Sequence, residues 1–231
     1  MPMLIPSFPP HLLGLALCGQ PASSAGQNQL VLSLLALVAI PALLAVTTAF
    51  ARIVIMLYFL RAGLGSGTLP PNAVLLGLAL VLTWYVMSPV ATSLGHDVLV
   101  PMQAGRLPLD QGLARSESLL RGFMMTRLSR QDYSFLARAR GFADDPARGP
   151  FELVASAFAL SELRIAFLAG LLIYLPFLVI DVLVYLVLSA LGPTTFSQQL
   201  FALPVKLLFF VMADGWRLLF EAVSRSYLGG G

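Results

Sequence analysis

The sequence is poor in charge, in histidine, in lysine and in cysteine, and each shortage removes a class of function. Only 11% of the 231 residues are charged, against about 25% in ordinary soluble domains. One cysteine, Cys18, excludes an internal disulfide and a cysteine-based metal site. The two histidines, His11 and His96, stand far apart, so no histidine metal cluster is expected. Lysine occurs once, as Lys206. A net charge of +3, thinly scattered, offers no basic face for nucleic acid. Gly-x-Ser-x-Gly, phosphate-loop, His-Glu-x-x-His and dinucleotide fingerprints are missing, and Gly63-x-Gly65-x-Gly67 is a loose turn. Neither an enzyme nor a cofactor is expected.

What the chain does have is apolar sequence. Hydrophobic residues make up 58% of it, and the mean hydropathy of +0.86 is that of a membrane-class protein. Charge is concentrated: 15 of the 25 charged residues fall between Asp97 and Glu152. The pattern divides the chain into an N-terminal segment (1–28), a first apolar hairpin (29–95), a soluble amphipathic insert (96–152) and a second apolar hairpin (153–228).

Residues 1–28 combine prolines, the apolar run Leu12–Leu17 and the small residues Ala22–Ala25. This resembles a cleavable signal peptide without its basic start, and Leu17 is bulky for a lipoprotein box. Segment one spans Leu30 to Leu60; Leu30–Ala51 is uncharged, Pro41 should kink it, and Arg52 interrupts it. A Gly- and Pro-rich turn through Asn72 leads to segment two, Ala73–Leu94. In the insert, Leu113, Leu120, Phe123, Met124 and Leu128 recur at helical spacing, with Arg115, Arg121 and Arg127 on a solvated face. Ser129 and Asp132 read as a capping box that opens a helix ending at Gly141. Segment three, Phe151–Leu191, is too long for one span and should divide at Pro176; segment four runs from Phe196 to Tyr227 across Pro204.

Glu162, Arg164, Asp181, Lys206 and Asp214 sit inside this apolar sequence. A bare charge at membrane depth costs about 3 kcal/mol or more, so such groups should pair or face water. A hairpin around Gly192 places Asp181 and Lys206 at similar heights, making them the first expected pair. Such pairs serve either a proton relay or helix registration. Asp181 and Asp214 also suggest an intramembrane aspartyl protease, but Met212-Ala213-Asp214-Gly215-Trp216 lacks that family's Gly-x-Gly-Asp context.

Several stretches together carry a likeness. They are Pro204–Trp216 (Pro, Lys, an apolar run, Asp-Gly-Trp), Ala157–Leu163 with Ala166, Phe167 and Gly170, Leu175–Asp181, and Phe59-Leu60-Arg61 through Pro70-Pro71-Asn72, Gly77–Leu80 and Met87–Val90. Over about 30–226, in order, the chain resembles the FliP/SctR family, the core subunit of the export gate of flagella and type III secretion injectisomes. The resemblance implies an all-α fold of broken apolar hairpins in a helical pore complex. It implies a homo-pentamer joined by FliQ/SctS-like and FliR/SctT-like subunits, through which unfolded proteins pass. It also implies an inner-membrane location, multi-pass by hydropathy, with the assembly largely at the periplasmic side. Glu162, Asp181, Lys206 and Asp214 are then expected as helix-pairing and assembly charges. Flagellar members carry a methionine run after the Ala-Leu-Gly turn as a pore gasket; here Pro193–Gln198 has none, and Phe196 is the gasket candidate. The alternative is a stand-alone transporter or channel, though no internal repeat is evident. Basic residues place the N-terminus and the insert outside, with Arg217 and Arg225 in conflict. Phe59-Leu60-Arg61 leans flagellar, and Leu160-Ser161-Glu162 leans toward the injectisome.

Overall fold

Helix α1 (Phe50–Leu64) begins the part of the chain that carries the functional charges. The computed structural model describes residues 34–35, 46–65, 67, 70–192 and 197–228, and everything below concerns the unit formed by 44–231. The kink expected at Pro41, the leader-like segment and Phe196 lie outside the described residues. Those residues are helical, with no strand among them.

Gly65 ends α1 in the left-handed conformation, φ 73°, its N–H bonding back to the carbonyls of Arg61 and Ala62. After the turn, Pro71 precedes α2 (Asn72–Leu94), where its missing N–H costs nothing. Pro89 lies inside α2 without breaking it. The carbonyl of Tyr85, which Pro89 cannot pair, accepts instead from the Ser88 hydroxyl at 2.9 Å. The helix then widens into a π-helical turn, Gly95–Leu99, before α3 (Val100–Gln103). Pro101 has no N–H to offer the Asp97 carbonyl, and Arg115 reaches that oxygen at 3.3 Å.

The insert folds as two amphipathic helices, α4 (Leu109–Met125) and α5 (Arg130–Arg140), the latter stopping at Gly141 as expected. Both pack on α6 (Phe151–Ala190), the spine of the fold. Segment three is therefore not divided: Pro176 is absorbed within one continuous helix of 40 residues, about 60 Å long. Segment four runs unbroken through Pro204 and divides at Asp214, giving α7 (Gln198–Met212) and α8 (Gly215–Leu228). Each falls short of the ~20 residues a simple span needs. Among the described residues two helical stretches are long and apolar enough to cross a membrane, Asn72–Gln103 and Phe151–Ala190.

Helix α1 lies alongside α6 in the same direction. Arg52 meets Glu162, Phe59 covers Gly170, and Phe177 covers Gly63. At Gly170 a Cβ would collide with the Phe59 ring, so the close approach needs glycine there. The core of Ile53, Leu57, Leu60, Val154, Phe158, Met124 and Tyr133 joins α1, the first half of α6 and the insert. Beyond Gly170 the cover thins, and Leu172, Val179, Leu183 and Val187 face outward. The upper part of α6 and the start of α7 thus form a hairpin with apolar sides.

Candidate functional site: paired charges along an apolar spine

Three polar nodes lie on α6, two of them level with each other at 161–164 and the third at 181. At the first, Arg52 Nη2 stands 2.6 Å from Glu162 Oε1, and both side chains are almost wholly buried. Tyr227, at the end of α8, donates its hydroxyl to the other Glu162 oxygen. The Arg52 guanidinium lies 4.3 Å from the centre of the Tyr227 ring and also donates to Ser226. Arg127, from the insert, stacks 4.5 Å from the Phe123 ring and donates to the Tyr227 carbonyl. Burial, and after it the Glu162 carboxylate, pushes the Tyr227 hydroxyl far above its ordinary range, so it stays a donor. Four elements, α1, α4, α6 and α8, meet at this node.

The second node joins the insert to α6. Buried Asp132 accepts from Arg164 and, at 2.9 Å, from the Ser161 hydroxyl. The expected capping box is not formed, because Asp132 is turned inward to those partners. Ser161 Oγ accepts from the Ser129 N–H at 3.0 Å in its place. Arg121 is not simply solvated either: it donates to the carbonyls of Pro146, Ala147 and Gly149, holding the 142–150 loop against α4.

The third node is the one expected from the hairpin register. Lys206 Nζ lies 2.7 Å from Asp181 Oδ2, with the lysine side chain 4% and the aspartate 31% exposed. The ammonium also sits over the C-terminal end of α1, where a cation is favoured. A Cβ on Gly65 would stand 3.2 Å from Nζ. Gln198 donates to the Asp181 carbonyl at 2.7 Å and Gln199 to that of Gly65, so the start of α7 is tied to both helices. A partly open cleft of about 440 Å³ lies beside the pair.

Asp214 departs from the expectation of a trapped, paired acid. It occupies the corner between α7 and α8, exposed, with a positive φ of 51°. Aspartate tolerates this conformation better than most residues. Gly215 follows because a Cβ there would strike the Phe210 ring. Sequence pattern does not single out Arg52 or Tyr227 as site residues, and it sets Arg127 on a solvated face, whereas Arg127 packs on the Phe123 ring and bonds the Tyr227 carbonyl. Arg52 satisfied the criterion that singled out Glu162, a charge in apolar surroundings, but was read as a break. Arg52 is buried and is therefore not a loop charge.

Chemically these nodes hold helices. Among the described residues no three His, Cys, Asp or Glu side chains gather to hold a metal. An apolar groove of about 370 Å³ runs between α1, α6, α7 and α8, lined by residues such as Leu60, Phe177, Phe209 and Leu219.

The FliP family model matches residues 31–223. The flagellar biosynthetic protein FliP of Cereibacter sphaeroides is 39% identical over 87% of this chain and 67% of its own length. That of Pectobacterium carotovorum is 36% identical over 90% and 83%. That of Bacillus subtilis is 35% identical over 81% and 86%. Matched by the family model over 31–223, the chain belongs to the FliP family.

Proposed function

We propose that the protein is the core, pore-forming subunit of a flagellar protein export gate in the bacterial inner membrane. It would act as a homo-pentamer with FliQ-like and FliR-like partners, and unfolded substrate proteins would pass through the ring. The single observation that carries this reading is family membership, since the relatives named above are flagellar biosynthetic proteins. The fold supports it physically. Apolar side chains on the outward faces of α6 and α7, such as Leu172, Leu183, Leu208 and Val211, must be covered by lipid or by other subunits. Polar nodes inside a proline-containing bundle suit packing against protein. The role is structural, not enzymatic, and assembly is largely periplasmic.

Deletion of the gene tests the function: cells should lose motility and stop exporting flagellar substrates, and the intact gene should restore both. Motile, export-competent deletants would remove the proposal. Phe196 remains the proposed seal; Phe196→Ala should raise leakage of small solutes, and unchanged leakage would eliminate that role. A stand-alone transporter would leave export untouched.

A further inference from the structure

Outside the insert the chain carries only ten charged residues, all of them among the described ones. Eight are engaged within the protein. Arg52 is paired with Glu162, Lys206 with Asp181, and Arg164 with Asp132 of the insert. Arg217 and Arg225 share Glu221 along one face of α8. Arg61 and Asp214 remain. Among the described residues Arg61 bonds only to neutral groups, the Asn72 side chain and the Gly67 carbonyl, and its guanidinium keeps donors to spare. The exposed Asp214 carboxylate accepts no hydrogen bond and forms no ion pair among the described residues.

Both flank one apolar cleft. It has a volume of about 350 Å³, within the range of about 300–1,000 Å³ usual for ligand sites. Leu64 and Pro71 contribute one wall, Leu203, Leu207 and Val211 the other, and Trp216 joins them. Arg61 lies one helical turn before Leu64 and is held to Asn72, the neighbour of Pro71, so it belongs to the first wall. Asp214 stands between Val211 and Trp216, at the corner where α7 meets α8, so it belongs to the second. Leu207, Val211 and Trp216 are exposed, which leaves the cleft open to its surroundings.

An apolar cleft with a cation on one wall and an acid on the other selects its occupant by charge. Hydrocarbon alone would fill it and leave both charges bare, which is costly beside lipid. An anionic lipid would satisfy Arg61 and be repelled by Asp214. A zwitterionic headgroup offers a phosphate to the one and an ammonium to the other, both as charge-assisted hydrogen bonds, and brings an acyl chain for the apolar walls. We propose that the cleft binds one phospholipid of the phosphoethanolamine class. Its phosphate sits at Arg61, its ammonium at Asp214, and part of an acyl chain lies along Leu203, Leu207 and Val211. The site rests on the membrane setting of the proposed function and needs no particular relation between copies of the chain.

The test uses the full-length protein carrying Trp84→Phe, which leaves Trp216 as its one tryptophan. Cell fractionation comes first: protein absent from the membranes overturns the membrane setting and the site together. Protein extracted from membranes into non-ionic micelles is then titrated with phosphatidylethanolamine, phosphatidylglycerol or diacylglycerol bearing brominated chains, and quenching of Trp216 is read. Phosphatidylethanolamine should reach half-quenching at a mole fraction about fivefold lower than the other two, the factor an exposed ion pair can supply. Asp214→Asn should erase its advantage over phosphatidylglycerol, and Arg61→Gln should bring both phospholipids down toward diacylglycerol. Equal half-quenching by all three lipids before these changes means contact with lipid at large and overturns the site, leaving the membrane setting intact. No quenching by any of them means that protein covers the cleft, and overturns it too. A preference for phosphatidylethanolamine that survives Asp214→Asn overturns the placement of the ammonium. Asparagine tolerates the left-handed conformation, so Asp214→Asn keeps the corner folded and stays decisive should Arg61→Gln loosen the turn that Arg61 holds.

Discussion

Glu162→Ala should be the most damaging single change in the described bundle. The carboxylate is 1% exposed and touches Arg52 at 2.6 Å as well as Tyr227. Its removal strands the Arg52 guanidinium, which is 2% exposed and cannot rehydrate. Attraction between unit charges about 4 Å apart is worth about 4 kcal/mol at an effective dielectric of 20. Breaking one side of a buried pair costs about 3–5 kcal/mol by measurement on other proteins. For a chain of this size that lowers the melting temperature by about 6–20 °C. The double change Arg52→Met with Glu162→Leu removes both charges and should recover most of the loss. The assay is thermal unfolding in detergent, followed by tryptophan fluorescence. A shift no larger than that of Glu117→Ala, an exposed acid on the insert, would refute the reasoning, as would a double variant worse than the single one.

The Asp181–Lys206 pair should respond unequally. Asp181→Asn leaves a lysine 4% exposed, whereas Lys206→Met leaves an aspartate 31% exposed that water can reach, so the first should lower the melting temperature more. Gly65→Ala meets both a φ of 73° and the Lys206 ammonium, and should cost about 1–2 kcal/mol in the same assay. Tyr227 has its pKa raised above the ordinary 10.0 by burial first and by Glu162 second. Its contribution to stability is therefore present below pH 10 and is lost as pH rises beyond it. The difference in alkaline unfolding between the wild-type protein and Tyr227→Phe should appear on that side of the profile, and parallel profiles would contradict the assignment. Arg121→Ala frees three loop carbonyls and should speed proteolysis within 142–150 without altering the bundle.

Sequence pattern revealed whatever depended on local chemistry. Gly141 ended α5, and the Asp181–Lys206 pair followed from counting residues around the Gly192 turn. It failed where distant elements overruled local rules. Pro176 was expected to divide α6, yet helix packing along α1 carries the chain straight through it. Asp132 looked like half of a capping box, but Ser161 and Arg164, about 30 positions later, claim it from another helix. Arg52 could be matched to Glu162 only by knowing that α1 runs parallel to α6, a relation no periodicity encodes. Asp214 looked trapped because its neighbours are apolar; the corner that exposes it depends on Gly215 fitting against Phe210.

A direct test of the ring is native mass spectrometry of the detergent-purified protein expressed with its export-gate partners. One chain weighs 24.8 kDa. The ring predicts a species carrying five copies, about 124 kDa from this chain alone, with any partners adding to that. A population of single chains, stable without companions, would contradict it.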